Sequence, residues 1–223
     1  MNSVPPFFTN RNTEKKDSSE SNSALESKEG LAMHKVIMEG RRCAVGEMQE
    51  EYLAIHTDYL NDPKVNRFIL SRPPFTIEQQ RQWLQSRRRA GDQVLAVLVH
   101  RTEDDAGQLS FVGVIDLRID REKRTAESAS VIGDKRYWRK GIAREARLMQ
   151  LKLAFDNLGL RWIFSKTIRP NLSSQRLLES TGYQRIGVRP KARLVEGQLH
   201  DEFLYRVSRT LWLPNWKRYC EEE

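Results

Sequence analysis

From Val36 onward, apolar positions recur with a period that switches between two and roughly 3.6, the spacings of strands and helices. Residues 36–45 read as a first strand or hairpin with Gly40 at its bend. Met48, Tyr52, Ile55 and Tyr59 predict a helix over residues 47–59, broken at Asn61-Asp62-Pro63. Residues 72–75, Arg-Pro-Pro-Phe, read as an extended link. Thr76-Ile77-Glu78-Gln79 is a capping box, and the helix it opens ends near Gly91, with Arg81, Arg87, Arg88 and Arg89 on a solvated face. Residues 94–99 form a continuous apolar strand, and residues 103–107 turn the chain. Strands over 109–119 and 126–132, joined by the charged turn 120–124, complete an antiparallel meander. Residues 142–158 carry two apolar rows, Ile142/Ala146/Met149/Leu153 and Leu148/Leu151/Phe155/Leu158, so this helix should pack on two sides before Gly159 ends it. A strand over 160–168, a helix over 173–181 stopped by Gly182, and strands over 183–188 and 200–208 follow. Together they predict an α/β fold of the α+β kind, a mixed and mainly antiparallel central sheet flanked by helices.

The first thirty residues break this pattern. They are rich in Ser, Asn, Glu and Lys and have no hydrophobic period after Phe8, so residues 1–32 are expected to be a disordered tail. One domain over 33–210 and a helical tail over 211–223 complete the division. In that last tail, Trp212 and Trp216 at helical spacing suit packing on the domain or on a second subunit, as in a homodimer. Hydrophobic residues make up 39% of the 223, and the shortfall sits largely in the first tail, which leaves enough to bury a core. No apolar run approaches the roughly 18 residues of a membrane-spanning helix, and residues 1–15 lack the apolar stretch of a secretory signal. Cys43 and Cys220 lie far apart with no metal-ligand spacing. Cytoplasmic residence, without metal or membrane, is the default that remains. The net charge of +8 suits an anionic ligand. It would suit nucleic acid too, but no aromatic stacking partners interleave the arginine run.

Candidate chemistry concentrates in residues 131–146, V-I-G-D-K-R-Y-W-R-K-G-I-A-R-E-A. A strand end feeds a basic turn, and Gly141 opens a helix. The first N–H groups of a helix lack internal partners and the macrodipole adds positive charge, so the place favours a phosphate or pyrophosphate. Gly141 lets a ligand approach the main chain with no Cβ in the way. The alternative is an ordinary turn glycine, and neither a P-loop nor a dinucleotide fingerprint is present. Residues 171–183, N-L-S-S-Q-R-L-L-E-S-T-G-Y, add a second motif. The pair resembles the GNAT superfamily of CoA-dependent N-acetyltransferases. W-R-K-G-I-A is similar to its pyrophosphate loop, and the second run to its N-x-x-[AS]-x-x-L-x-x-x-G-[FY] helix beside the CoA arm. The runs M-E-G-R-R-C-A-V and Y-L-N-D-P-K-V-N-R-F resemble the start of the RimJ/RimL-like branch. The likeness covers residues 33–209.

The resemblance implies acetyl-CoA as cosubstrate and a set of roles. Main-chain groups of Arg139, Lys140, Gly141, Ile142, Ala143 and Arg144 would hold the pyrophosphate, with Asn171 and Ser174 beside the arm. Main chain near Val131 and Ile132 would polarise the thioester carbonyl. Where the family loop begins with Gln or Arg, this chain has Trp138, for which core packing is the first reading; Arg139 and Lys140 replace the lost charge. An ammonium must lose its proton before attacking, and a carboxylate can accept it directly or through water. Glu127 holds the position where many relatives carry a Glu; otherwise it is a surface strand residue with a basic neighbour. Glu196, Asp201 and Asp116 are competing carboxylates, and His200 beside Asp201 cannot form a dyad on a strand. The usual phenol, seven residues after the Asn, is Leu178 here, leaving Ser174 to protonate the thiolate unless its hydroxyl only satisfies the helix start. Neither cysteine is near a motif in sequence, which favours direct transfer in a ternary complex. The expected acceptor is a small primary amine: an amino sugar, a nucleotide-linked sugar or a polyamine. A protein N-terminal acetyltransferase of ribosomal-protein type and a non-catalytic CoA-binding regulator are the alternatives.

Overall fold

The computed structural model describes residues 34–69, 74–100 and 109–222. The expected tail at residues 1–32, Arg72 and Pro73 of the link, and the turn at 103–107 lie outside them. Eight strands among the described residues share one sheet: β1 (Val36–Glu39), β2 (Ala44–Glu47), β3 (Gln93–His100), β4 (Leu109–Asp120), β5 (Thr125–Ile132), β6 (Trp162–Ile168), β7 (Gln184–Val195) and β8 (Gln198–Val207). Their order is β1-β2-β3-β4-β5-β6-β8-β7. β5 and β6 run parallel, and the other neighbouring pairs are antiparallel. The sheet is thus mixed and mainly antiparallel.

Helices cover both faces. α1 (Leu53–Asn61), joined to the short α2 (Pro63–Asn66), and α3 (Ile77–Arg89) pack into the core on one face; α4 (Ile142–Lys152), α5 (Leu172–Ser180) and α6 (Arg209–Glu221) pack into the cores on the other. The predicted rows of α4 part as expected. Ile142, Ala146, Met149 and Leu153 join the core under β2–β4, while Leu148, Leu151 and Phe155 join the core under β5, β6 and β8. Leu158 departs from its row and is exposed. Residues Leu153–Asn157 are π-helical, and the wider turn rotates Leu158 off the buried stripe.

Two further expectations are corrected. Ile55 is exposed, and α1 buries Leu53, His56 and Leu60 instead. Here β2 runs on to Glu47 and a 3-10 turn at Glu50–Tyr52 precedes the helix, so the inward face is set by Tyr52 and Leu53. The arginine run is not wholly solvated: Arg87 is buried, with Nη1 2.7 Å from Asp92 and Nη2 on Asp116. Arg88 donates to the Met48 carbonyl at 2.6 Å. The capping box forms as predicted, with Gln79 N–H donating to Thr76 Oγ1 and Thr76 N–H to Gln79 Oε1.

Candidate functional site

β5 and β6 pair only over Thr125–Glu127 and Trp162–Phe164. Beyond those residues no ladder joins them, although β5 continues to Ile132 and β6 to Ile168. The two strands therefore bound a gap, closed at Glu127 and Phe164. At the carboxyl end of each strand stands a helix N-terminus, α4 after β5 and α5 after β6, the end of an α/β sheet where ligands bind.

The segment between β5 and α4 is shaped by its own side chains. Asp134 accepts from the Arg136 N–H at 3.0 Å and pairs with its guanidinium at 2.7 Å, which holds the Asp134 carboxyl below the usual range. Trp138 is exposed rather than packed in the core; its indole N–H donates to the Ile132 carbonyl at 2.7 Å, so the ring folds back over the end of β5. Arg139 (φ 61°) and Gly141 (φ 81°) are both left-handed. Gly141 caps α4 with no side chain, so the N–H groups of the first helical turn have no side-chain partner. Lys140 lies over the Tyr137 ring at 5.6 Å. Arg144 reaches Glu222 at 3.8 Å.

Arg42 completes this end, and nothing near it in sequence marks it. A Cβ built on Gly141 would lie 3.5 Å from Arg42 Nη1, which places the guanidinium beside the helix opening. Arg42 is held there through its backbone: its N–H donates to Glu145 at 3.0 and 3.2 Å. Glu145 is buried and also accepts from Tyr219 Oη at 2.7 Å. Free helix N–H groups with Arg42, Arg139, Lys140 and Arg144 around them are a donor set that fits a pyrophosphate.

At α5, Asn171 rather than Ser174 caps the helix: its Oδ1 accepts from the Ser174 N–H at 3.1 Å. Ser174 is half-buried one turn in, and Leu178 is buried in the core. Cys43, distant from the motifs in sequence, is close in space, its Sγ 3.7 Å from the Ile142 carbonyl, because β2 packs under α4. Burial, then Glu145, push that thiol far above its usual pKa, so it offers no thiolate.

Glu127 stands at the closed end, on the face that carries α3. Its carboxylate is 2.5 Å from Lys166 Nζ on β6 and partly exposed. With Arg118 and Phe164 it lines an open depression of about 770 Å³. The competing carboxylates are engaged elsewhere. Burial raises the pKa of Asp116 against the pull of Arg87. Glu196 forms two contacts of 3.1 Å with Arg67, joining the β7–β8 turn to the end of α2. Asp201 accepts from Lys191 N–H at 3.0 Å and pairs with Arg169 at 3.4 Å, and His200 faces Arg193 across the hairpin.

A family profile described as an acetyltransferase (GNAT) domain matches residues 47–184. The chain is 26% identical over 173 residues to an uncharacterized N-acetyltransferase, p20, of Bacillus licheniformis, across 74% of this chain and 92% of that protein. Spermidine N-acetyltransferase from Vibrio cholerae, solved in complex with CoA and spermine, has a similar fold, with a TM-score of 0.69 at 17% identity over 77% of this chain and 98% of that one. A GCN5-related N-acetyltransferase from Brucella melitensis aligns with a TM-score of 0.63 at 22% identity, over 84% and 85% of the two chains.

Proposed function

The chain belongs to the acetyltransferase (GNAT) domain family, and on that premise we propose that it transfers an acetyl group from acetyl-CoA to a primary amine of a small molecule. An amino sugar, a nucleotide-linked sugar or a polyamine is the acceptor class, and transfer is direct, in a ternary complex. The divergence of β5 and β6 carries the reading, with an uncapped, cation-ringed helix start at its open end and a carboxylate at its closed end. The RimJ/RimL-like branch, residence in the cytoplasm and a homodimer belong to the same reading. A protein N-terminus is the alternative acceptor.

The pyrophosphate of acetyl-CoA is held by main-chain N–H groups of residues 139–144, with Arg42 beside Gly141. Asn171 and Ser174 border the arm. Main chain at Val131 and Ile132 faces the carbonyl as negative charge develops on it. Four residues of extended strand set Val131 about 13 Å from Glu127, so the acceptor's proton reaches the Glu127 carboxylate through water. The acceptor ammonium competes with Lys166 for that carboxylate as it enters. The C–N bond then forms as the C–S bond breaks, and Ser174 gives the thiolate a proton.

Glu127→Gln keeps the shape and loses the proton acceptor. Removing a general base typically costs about 10²–10⁴-fold. The rate with a panel of amines should fall most near neutral pH and recover in part as pH rises and the amine arrives unprotonated. A pH–rate profile that overlays the wild type would remove Glu127 from the mechanism.

A further inference from the structure

Where the β5–β6 ladder ends, side chains take over the connection. Ser128 Oγ donates to the Phe164 carbonyl at 3.2 Å, and Ser165 Oγ donates to the Ser128 carbonyl at 3.1 Å. These two bonds cross the vertex of the gap on the face that carries α4 and α5. The Tyr183 hydroxyl lies 2.8 Å from Ser128 Oγ. With the Ser128 proton directed at Phe164, Tyr183 is the donor in that contact. Tyr183 is buried among Leu178, Phe203 and Tyr205, and burial raises its pKa while the nearby Arg147 guanidinium pulls it down.

Arg147 is the unusual member. Its side chain is 1% exposed on α4, yet it forms no ion pair among the described residues. Nη1 donates to Gln150 Oε1 at 2.9 Å, while Arg147 Nε and Gln150 Nε2 are buried without a partner among the described residues. Thr167 Oγ1, two residues beyond Ser165 on the same face of β6, is buried and likewise unpartnered among the described residues. A buried guanidinium without a carboxylate is costly to the fold. Its charge lies beside the Tyr183 hydroxyl under the vertex. Ser128 adjoins Glu127; β5 stays laddered to β4 as far as Ile132 and β6 to β8 as far as Ile168, so the two halves of the sheet meet at this vertex and its bonds set how far apart they stand.

We propose that Tyr183, beside Arg147, is a positioning residue that locks the Ser128 hydroxyl to the Phe164 carbonyl across the vertex and so fixes the width of the gap that receives the acyl arm of acetyl-CoA. It takes no part in holding the pyrophosphate. The inference rests on the acetyl-CoA reading above.

Calorimetry on the full chain with two probes separates the possibilities. One probe is acetyl-CoA; the other is 3′-phosphoadenosine 5′-diphosphate, which keeps the pyrophosphate and lacks the arm. Tyr183→Phe removes only the hydroxyl. It should weaken acetyl-CoA about tenfold, the worth of a buried, charge-linked hydrogen bond, and leave the second probe within about twofold. Ser128→Ala should behave alike, the double variant should be no weaker than either single one, and Ser128→Thr should restore wild-type binding. Should Tyr183→Phe fail to fold, Ser128→Ala against Ser128→Thr carries the test. Unchanged acetyl-CoA affinity in a folded variant, or equal loss of both probes, overturns the lock. A wild-type chain that binds neither probe overturns the acetyl-CoA reading itself.

Discussion

At Gly141 the proposed anion site is built from main chain, not from a side chain. The residue sits at φ 81°, where a Cβ costs roughly 1–2 kcal/mol. A methyl there would meet Arg42 at 3.5 Å, an ordinary contact, so the substitution crowds the incoming phosphates more than the fold. Gly141→Ala should therefore unfold cooperatively, with a modest loss of stability, and bind acetyl-CoA at least about tenfold more weakly. Calorimetry beside a thermal melt checks both halves, and equal affinity in the folded variant would count against the loop as the anchor. Glu127→Gln should bind acetyl-CoA normally, since Glu127 stands at the other end of the gap. Arg42 shows why a residue-level reading of sequence is incomplete here. It is brought to Gly141 by the β1–β2 turn and pinned by Glu145, and no spacing rule connects residues about a hundred positions apart.

Among the elements, α6 is more than an appended tail. It is capped by Ser208, and it buries Trp212 fully against Phe155 (5.6 Å between ring centroids), with Trp216 stacked on Trp212 at 5.7 Å. Tyr219 then ties the helix to Glu145 in the first turn of α4. Gly182 lets α6 come this close: a Cβ there would stand 2.6 Å from the Leu211 carbonyl. Trp212→Ala should cost about 3–5 kcal/mol, the range for emptying a large aromatic site. Urea unfolding measures it, and a loss below about 1 kcal/mol would mean that α6 only rests on the surface. α4 reaches the same cluster from the other side, and its two apolar rows were readable because a helix packed twice must be apolar twice.

For the molecule as a whole, buried titratable groups set the response to acid. Burial lowers the pKa of His56 from 6.5 to about 4, and its Nδ1 has no partner among the described residues. The unfolded chain then binds a proton that the folded one refuses, so the contribution of His56 to stability is complete above pH 6.5 and is lost as pH falls from about 6.5 to about 4. Such a shift corresponds to about 3 kcal/mol over that window. Asp116 acts with the opposite sign, since burial raises its carboxyl and the folded state takes up its proton first, near and above pH 3.8. Melting temperatures measured from pH 7 to pH 4 should fall less steeply for His56→Gln than for the wild type. Parallel curves would show that His56 is not the source.

What the sequence determined by itself is local. The mixed sheet, the capping box at Thr76, the strand–loop–helix at residues 131–146 and the short helix after Asn171 follow from periodicity, caps and glycines, which act within a few residues. The same local signals led wrongly at Ile55, Arg87, Leu158 and Trp138. There the outcome turned on a register after a 3-10 turn, a buried carboxylate, a π-helical turn and a carbonyl at a strand end. Only the tertiary structure decided what surrounds the gap. It brought Arg42 to Gly141, Lys166 to Glu127, Cys43 beneath Ile142, and Tyr183 with Arg147 under Ser128. Each of these joins elements distant in the chain, and their meeting depends on strand order and on where a ladder stops, which neither composition nor spacing encodes.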